Sequence, residues 1–181
     1  MTNAKKWITP ALVLFLICLC VSALLSGVNA LTKQKIADME KAALEKATRQ
    51  VLPLAASFLD LPGEEGNGFV GKDEEGNTVG YVFIRAAKGY GGDVKAIVGI
   101  DASGAIVGIS VDAPSETPGL GSNVEKEGFL SQFLNKQEGA FVLKENVTAQ
   151  TGATYSSKAV VEAVNMALDA FKKVTEGGSA S

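Results

Sequence analysis

Gln150-Thr151-Gly152-Ala153-Thr154-Tyr155-Ser156-Ser157 places hydroxyls at positions 151, 154, 156 and 157 around a glycine. It runs into a stretch whose Val160, Ala163, Val164, Ala167, Leu168 and Phe171 recur at helical spacing, so a helix is expected from Ser156 to Lys173. The first turn of a helix carries N–H groups without intrahelical partners and the positive end of the helix dipole. Such a terminus binds phosphate; Gly152 lets the backbone approach the anion, and the hydroxyls can donate to it. The chemistry indicated is phosphate capture, with Lys158 one turn into the helix as a candidate counter-charge. Plain N-capping by Thr154 or Ser156 would use the same residues without a ligand, leaving Lys158 a solvated surface charge.

Other chemistry is excluded by composition. The chain has no histidine, which removes histidine acid–base catalysis, histidine haem ligation and most zinc sites. Its only cysteines, Cys18 and Cys20, lie in an apolar N-terminal block, where small buried hydrophobes are common, so the soluble part supplies no thiolates. No metal ligand set is assigned. A net charge of -3 leaves no basic footprint for nucleic acid. Redox work by this chain would require an organic cofactor.

The elements that must position the octapeptide form an α+β domain. Strand-like runs occupy Thr78–Ile84, Val94–Ile100 and Ala105–Val111, the last two joined by the hairpin turn Asp101-Ala102-Ser103-Gly104. Lys88-Gly89-Tyr90-Gly91-Gly92 connects the first two. Residues 61–77, rich in glycine and acid (Gly63, Gly66, Gly68, Gly71, Gly76), are expected as loops with a short strand near Phe69-Val70. A helix is expected over Asn123–Leu134 and a short strand over Phe141-Val142-Leu143. Hairpin-linked strands followed by helices argue for an antiparallel sheet with flanking helices.

From Trp7 to Leu31 there is no charge. A helix of that length rises roughly 37 Å, more than the ~30 Å hydrocarbon core of a bilayer. Lys5 and Lys6 before it favour a cytoplasmic N-terminus, with Lys33 and Lys35 weakening the asymmetry. A cleaved signal peptide ending near Val28-Asn29-Ala30 is the competing reading. Either way the domain lies outside the cytoplasm. Ile36, Met39, Ala43, Leu44, Ala47 and Val51 continue as a stalk helix that Pro53 ends. The expected order is a cytoplasmic N-terminus over 1–6, a transmembrane helix over 7–31, a stalk over 32–53, the folded domain over 54–175 and a disordered tail over 176–181.

Two segments give the chain a resemblance. Thr151-Gly152-Ala153-Thr154, followed by Tyr155-Ser156-Ser157-Lys158, resembles the flavinylation motif of the FMN-binding domain family. Ser115-Glu116-Thr117-Pro118-Gly119-Leu120-Gly121 is similar to that family's Glu-Thr-Pro-Gly-Leu-Gly segment, although Thr117-Pro118-Gly119 also suits an ordinary type II turn. The Gly89–Gly92 turn fits as well, and the resemblance covers roughly residues 78–172. In the family, the last Thr of the motif carries FMN as a phosphoester. The resemblance therefore implies covalent FMN on Thr154, with Thr151, Gly152, Ala153, Ser156 and Ser157 near the phosphate. It further implies that Glu116, Thr117, Gly119 and Leu120 contact the flavin ring or ribityl chain; Tyr155 could stack near the ring or pack on the domain surface. One departure is Thr148, where members often carry the aspartate that a flavin transferase recognises.

Within the family, the single span and stalk most resemble the G-type members found in Rnf ion-translocating electron-transport complexes. That implies a relay of electrons inside a membrane machine coupling ferredoxin–NAD electron transfer to ion movement, rather than catalysis by one chain. The implied partners are the other membrane and redox subunits, membrane lipid, and a flavin transferase that uses FAD and magnesium. A tethered module binding a phosphorylated ligand reversibly, and a structural anchor without cofactor, are the alternatives.

Overall fold

The computed structural model describes residues 3–64, 67–137 and 139–177. Gly66 of the glycine-rich stretch and positions 178–181 of the expected tail lie outside the described residues. Two compact units are present, one reaching Glu45 and the other beginning at Lys46.

The first unit is helical. Helix α1 (Asn3–Val51) runs without a break through the segments expected as span and stalk. Pro10 lies inside it, past the first turn, and cannot donate the helical hydrogen bond to the Lys6 carbonyl. It contains an 18-residue window of mean hydropathy 2.7, long and apolar enough to cross a bilayer by length and composition. The leucines and isoleucines from Ile8 to Leu31 are exposed, as are Cys18 and Cys20.

The second unit is an antiparallel meander of five strands in chain order: β1 (Ser57–Asp60), β2 (Gly68–Lys72), β3 (Thr78–Lys88), β4 (Asp93–Asp101) and β5 (Ile106–Asp112). The α+β architecture is as expected, with one strand added at the edge. Strand β1 escapes pattern reading because three of its four residues are exposed, so no alternation marks it. Strands β3 and β4 pair over nine rungs, from Gly80↔Asp101 to Lys88↔Asp93, and extend past the expected ends.

Both faces of the sheet centre are covered, which is why Ala96-Ile97-Val98-Gly99-Ile100 is apolar throughout. On one face Val94, Ala96, Val98 and Ile100 pack with Val160, Ala163, Val164, Ala167 and Leu168 of the C-terminal helix, which spans Thr154–Gly177. On the other, the paired glycines Gly99 and Gly108 lie under the Val51 carbonyl, and a Cβ at either would overlap it. A second glycine pair, Gly71↔Gly80, leaves room for the Leu52 side chain. Val51, the last residue of α1, and Leu52 after it are 2% and 1% exposed in this glycine-lined seat. Gly108→Val should unseat them and cost on the order of 3 kcal/mol, because backbone must move to admit the side chain. A thermal melt should then fall by roughly 10 °C.

Two local expectations need correction. The stretch over Asn123–Leu134 is not one helix but a 3-10 turn (Gly121–Glu125), the short helix α2 (Glu127–Leu130) and a second 3-10 turn (Ser131–Phe133). Phe129 and Phe133 are buried all the same, meeting edge-to-face at 5.6 Å. Phe141-Val142-Leu143 forms no strand. The Asn165 side chain takes both backbone groups of Phe141 at 2.8 Å, and Asn146 Oδ1 accepts the Val142 N–H at 2.6 Å. Side chains thus satisfy what a neighbouring strand would have, and only the single bridge Leu143↔Val147 remains. The C-terminal helix, α3 (Thr154–Gly177), runs further than expected, so Glu176 and Gly177 of the expected tail are helical.

Candidate functional site

Three loops meet around one carboxylate. Glu116 follows β5, is only 4% exposed, and has both oxygens occupied. Oε1 accepts the backbone N–H groups of Tyr90 at 2.7 Å and Gly91 at 3.1 Å, both in the β3–β4 connection. Oε2 accepts the Ser156 hydroxyl from the first turn of α3 at 2.7 Å. The glycines around it are there for clearance: a Cβ at Gly89 or Gly121 would strike this carboxylate, and one at Gly91 the Ser115 carbonyl.

Burial pushes the Glu116 carboxyl up, but hydrogen bonds from Ser156, Gly91 and Tyr90 outweigh it and hold the pKa below the ordinary 4.5. The folded protein therefore binds this proton less readily than the unfolded chain. Ionised Glu116 adds stability above the unfolded value, and the contribution is lost as pH falls through the depressed native one. Asp101 acts in the same direction, its burial outweighed by hydrogen bonds from Ser103, Ala105 and Gly104. The melting temperature should fall as pH drops from about 6 to about 3, and Glu116→Gln should flatten that dependence in a series of thermal melts.

The start of α3 is shaped by a tight turn. Ala153 N–H donates to the Gln150 carbonyl at 3.0 Å, and Gly152 between them has φ 75°, a conformation that favours glycine. The Ser157 hydroxyl, fully buried, donates to the Ala153 carbonyl at 2.8 Å and accepts the Gln150 N–H at 2.9 Å. Ser157 N–H donates to the Ala153 carbonyl, so Ala153 is the residue at the N-cap. Alanine offers no side-chain acceptor there, an arrangement that costs about 1 kcal/mol against Ser or Asp. Neither Thr154 nor Ser156 caps the helix. The amides of Thr154, Tyr155 and Ser156 and the Thr154 hydroxyl form no hydrogen bond among the described residues. An exposed helix start with uncommitted amides can receive an anion.

A cavity of about 400 Å³ opens beside this terminus. Thr154, Tyr155, Ser156, Gly152 and Ala153 line one part, Glu116, Thr117, Leu120 and Gly121 another, and Tyr90 the rim. The two sequence segments thus share one site, and Leu120 lies so close to Gly152 that a Cβ there would meet it at 2.6 Å. Thr151, Gly119 and Ser157 stand outside the lining. Gly119, with φ 74°, makes the turn in which Leu120 N–H donates to the Thr117 carbonyl at 3.1 Å. Tyr90 is a site residue that sequence reasoning misses; its only signal is the glycines around it. Thr148 lies in a loop held by Gln132, whose side chain pairs with both its backbone groups.

Comparison with known proteins matches the FMN-binding domain model to residues 89–169 and the RnfG N-terminal region model to residues 1–51. The G subunit of an ion-translocating oxidoreductase complex from Methanosarcina acetivorans is 33% identical, over 93% of this chain and 96% of the relative. This chain belongs to the RnfG family. Another relative, the G subunit of a proton-translocating ferredoxin:NAD(+) oxidoreductase complex from Clostridium ljungdahlii, is 38% identical over 58% of this chain. That match spans 60% of the relative's length. The RnfG-family domain described above also superposes on the crystal structure of Shewanella oneidensis NqrC with a TM-score of 0.51. The identity is 24% over 63% of this chain and 61% of that one, which shows a shared fold. The cavity lining and the uncommitted helix start both fall within the FMN-binding domain match.

Proposed function

We propose that this chain is an electron-transfer subunit carrying FMN as a phosphoester on Thr154, in a membrane complex that couples ferredoxin–NAD electron transfer to ion translocation. The supporting observation is the uncapped start of α3, where an uncommitted Thr154 hydroxyl stands beside free backbone amides and a cavity lined by the FMN-family segments. The amides of Thr154, Tyr155 and Ser156 would hold the phosphate, aided by the helix dipole and by the exposed Lys158. Thr117 and Leu120 would border the ring. Glu116 and Ser157 would act on the shape of the site, since their polar atoms are already engaged.

Attachment would take this chain's hydroxyl, FAD as donor and a magnesium-dependent transferase. The Thr154 oxygen bonds to the flavin-side phosphorus of FAD, the pyrophosphate link breaks, AMP leaves, and the hydroxyl proton is released. Bound FMN supplies reversible electron uptake and release. The protein contributes placement: a covalent link has no dissociation constant to be defeated by dilution, and it keeps the ring near its redox partners. Helix α1 would span the membrane with Lys5 and Lys6 on the cytoplasmic side, leaving the domain outside the cytoplasm.

The test is intact-mass analysis of the full chain purified from membranes with an active transferase. The reading expects a gain of FMN less one water and a fluorescent band after denaturing electrophoresis. A bare mass, with flavin released on denaturation, would support reversible capture of a phosphorylated ligand instead.

A further inference from the structure

Two tyrosines at the rim of the cavity have no structural task. Tyr90 and Tyr155 are 75% and 70% exposed, yet they come from segments 65 positions apart and their rings meet at 6.3 Å with a 46° tilt. Large aromatic rings left open to water beside a cavity indicate a surface that becomes covered when a ligand binds. Their backbones are not free to drift. Tyr90 N–H is held by Glu116 Oε1, and Ser156, next to Tyr155, is held by Oε2 of the same carboxylate. One buried anion therefore sets the spacing of both rings. Leu120, in the same lining and close to Gly152, is 45% exposed. Thr154, the proposed attachment point, lies immediately before Tyr155 in the same lining.

We infer that Tyr90 and Tyr155 form a preorganised aromatic wall that receives the flat ring of the flavin attached at Thr154, with Leu120 in the same lining. This rests on the proposed attachment. Two phenol rings with few rotatable bonds lose little entropy in taking up such a ligand, and they offer faces to an electron-poor aromatic system. Tyrosine rings in contact with a bound flavin would quench its emission by donating an electron to the excited ring and recovering it, so the folded protein should be dim. Electron-rich neighbours also favour the oxidised flavin over the reduced one, which lowers the midpoint potential.

The experiment compares full-length, detergent-purified wild type with Tyr90→Leu, Tyr155→Leu and the double variant, each checked for flavin load by intact mass. The wild type should brighten several-fold on unfolding. The double variant should already be several-fold brighter when folded, be quenched more readily by iodide, and show a raised midpoint potential. Tyr90→Leu alone should show part of this, and it leaves the neighbours of Thr154 unchanged for the transferase. Full flavin load with wild-type emission, iodide access and potential in Tyr90→Leu and in whichever Tyr155 variants are loaded would overturn the inference while leaving the attachment intact. A wild type that carries no flavin would overturn both.

Discussion

Thr154→Val removes covalent flavin completely: the chain mass falls by FMN less one water, and the denatured band goes dark. Valine keeps the branched shape and removes only the hydroxyl. That hydroxyl is on an exposed residue and makes no hydrogen bond among the described residues, so the fold should tolerate its loss. Substitutions of this kind usually stay within about 0.5 kcal/mol. A melt of the variant should therefore overlay that of unflavinylated wild type. Joint loss of flavin and stability would instead mean that residue 154 supports the helix start, contrary to its lack of any hydrogen bond there among the described residues.

Glu116→Ala should be the most damaging single change at the site. It leaves the Tyr90 and Gly91 amides and the Ser156 hydroxyl without their acceptor at a position that is almost wholly buried. Each unsatisfied donor costs about 1–3 kcal/mol, so a total of about 3–5 kcal/mol is expected from urea unfolding. Glu116→Gln retains an acceptor for the two amides, and Ser156 can rotate to accept, so its cost should be about 1–2 kcal/mol. The two partners belong to one network. Ser156→Ala should therefore cost much less in the Glu116→Ala background than alone, a coupling of about 1 kcal/mol or more in a double-mutant cycle. Flavin load should fall with Glu116→Ala, because the loops bearing Tyr90, Thr117 and Ser156 lose their common tie.

What pattern reading can reach is local. The octapeptide before α3 announces a helix start because its hydroxyls, its glycine and the stripe behind it are contiguous. Strands β3 to β5 are visible because their runs are apolar and their turns, such as Asp101–Gly104, carry their own signals. The interrupted segment over 121–133 looks like one helix because its phenylalanines are spaced helically, while Lys126, with extended backbone at φ -76° and ψ 142°, breaks the hydrogen-bond ladder. The missing strand at Phe141 depends on Asn165, a residue 24 positions away.

The order of amino acids was enough to specify the long apolar segment, the α+β class, the two family segments and the hydroxyl at Thr154. These follow from composition, periodicity and neighbours in the chain. Folding in three dimensions was needed to put Ala153 at the N-cap position of α3, to turn Glu116 into a buried strut with both oxygens engaged, and to bring Tyr90 against Tyr155. The reason is that hydrogen-bond partners and ring contacts are settled by packing between residues distant in sequence. A glutamate that could have faced a ligand turns inward once three donors from two other segments converge on it.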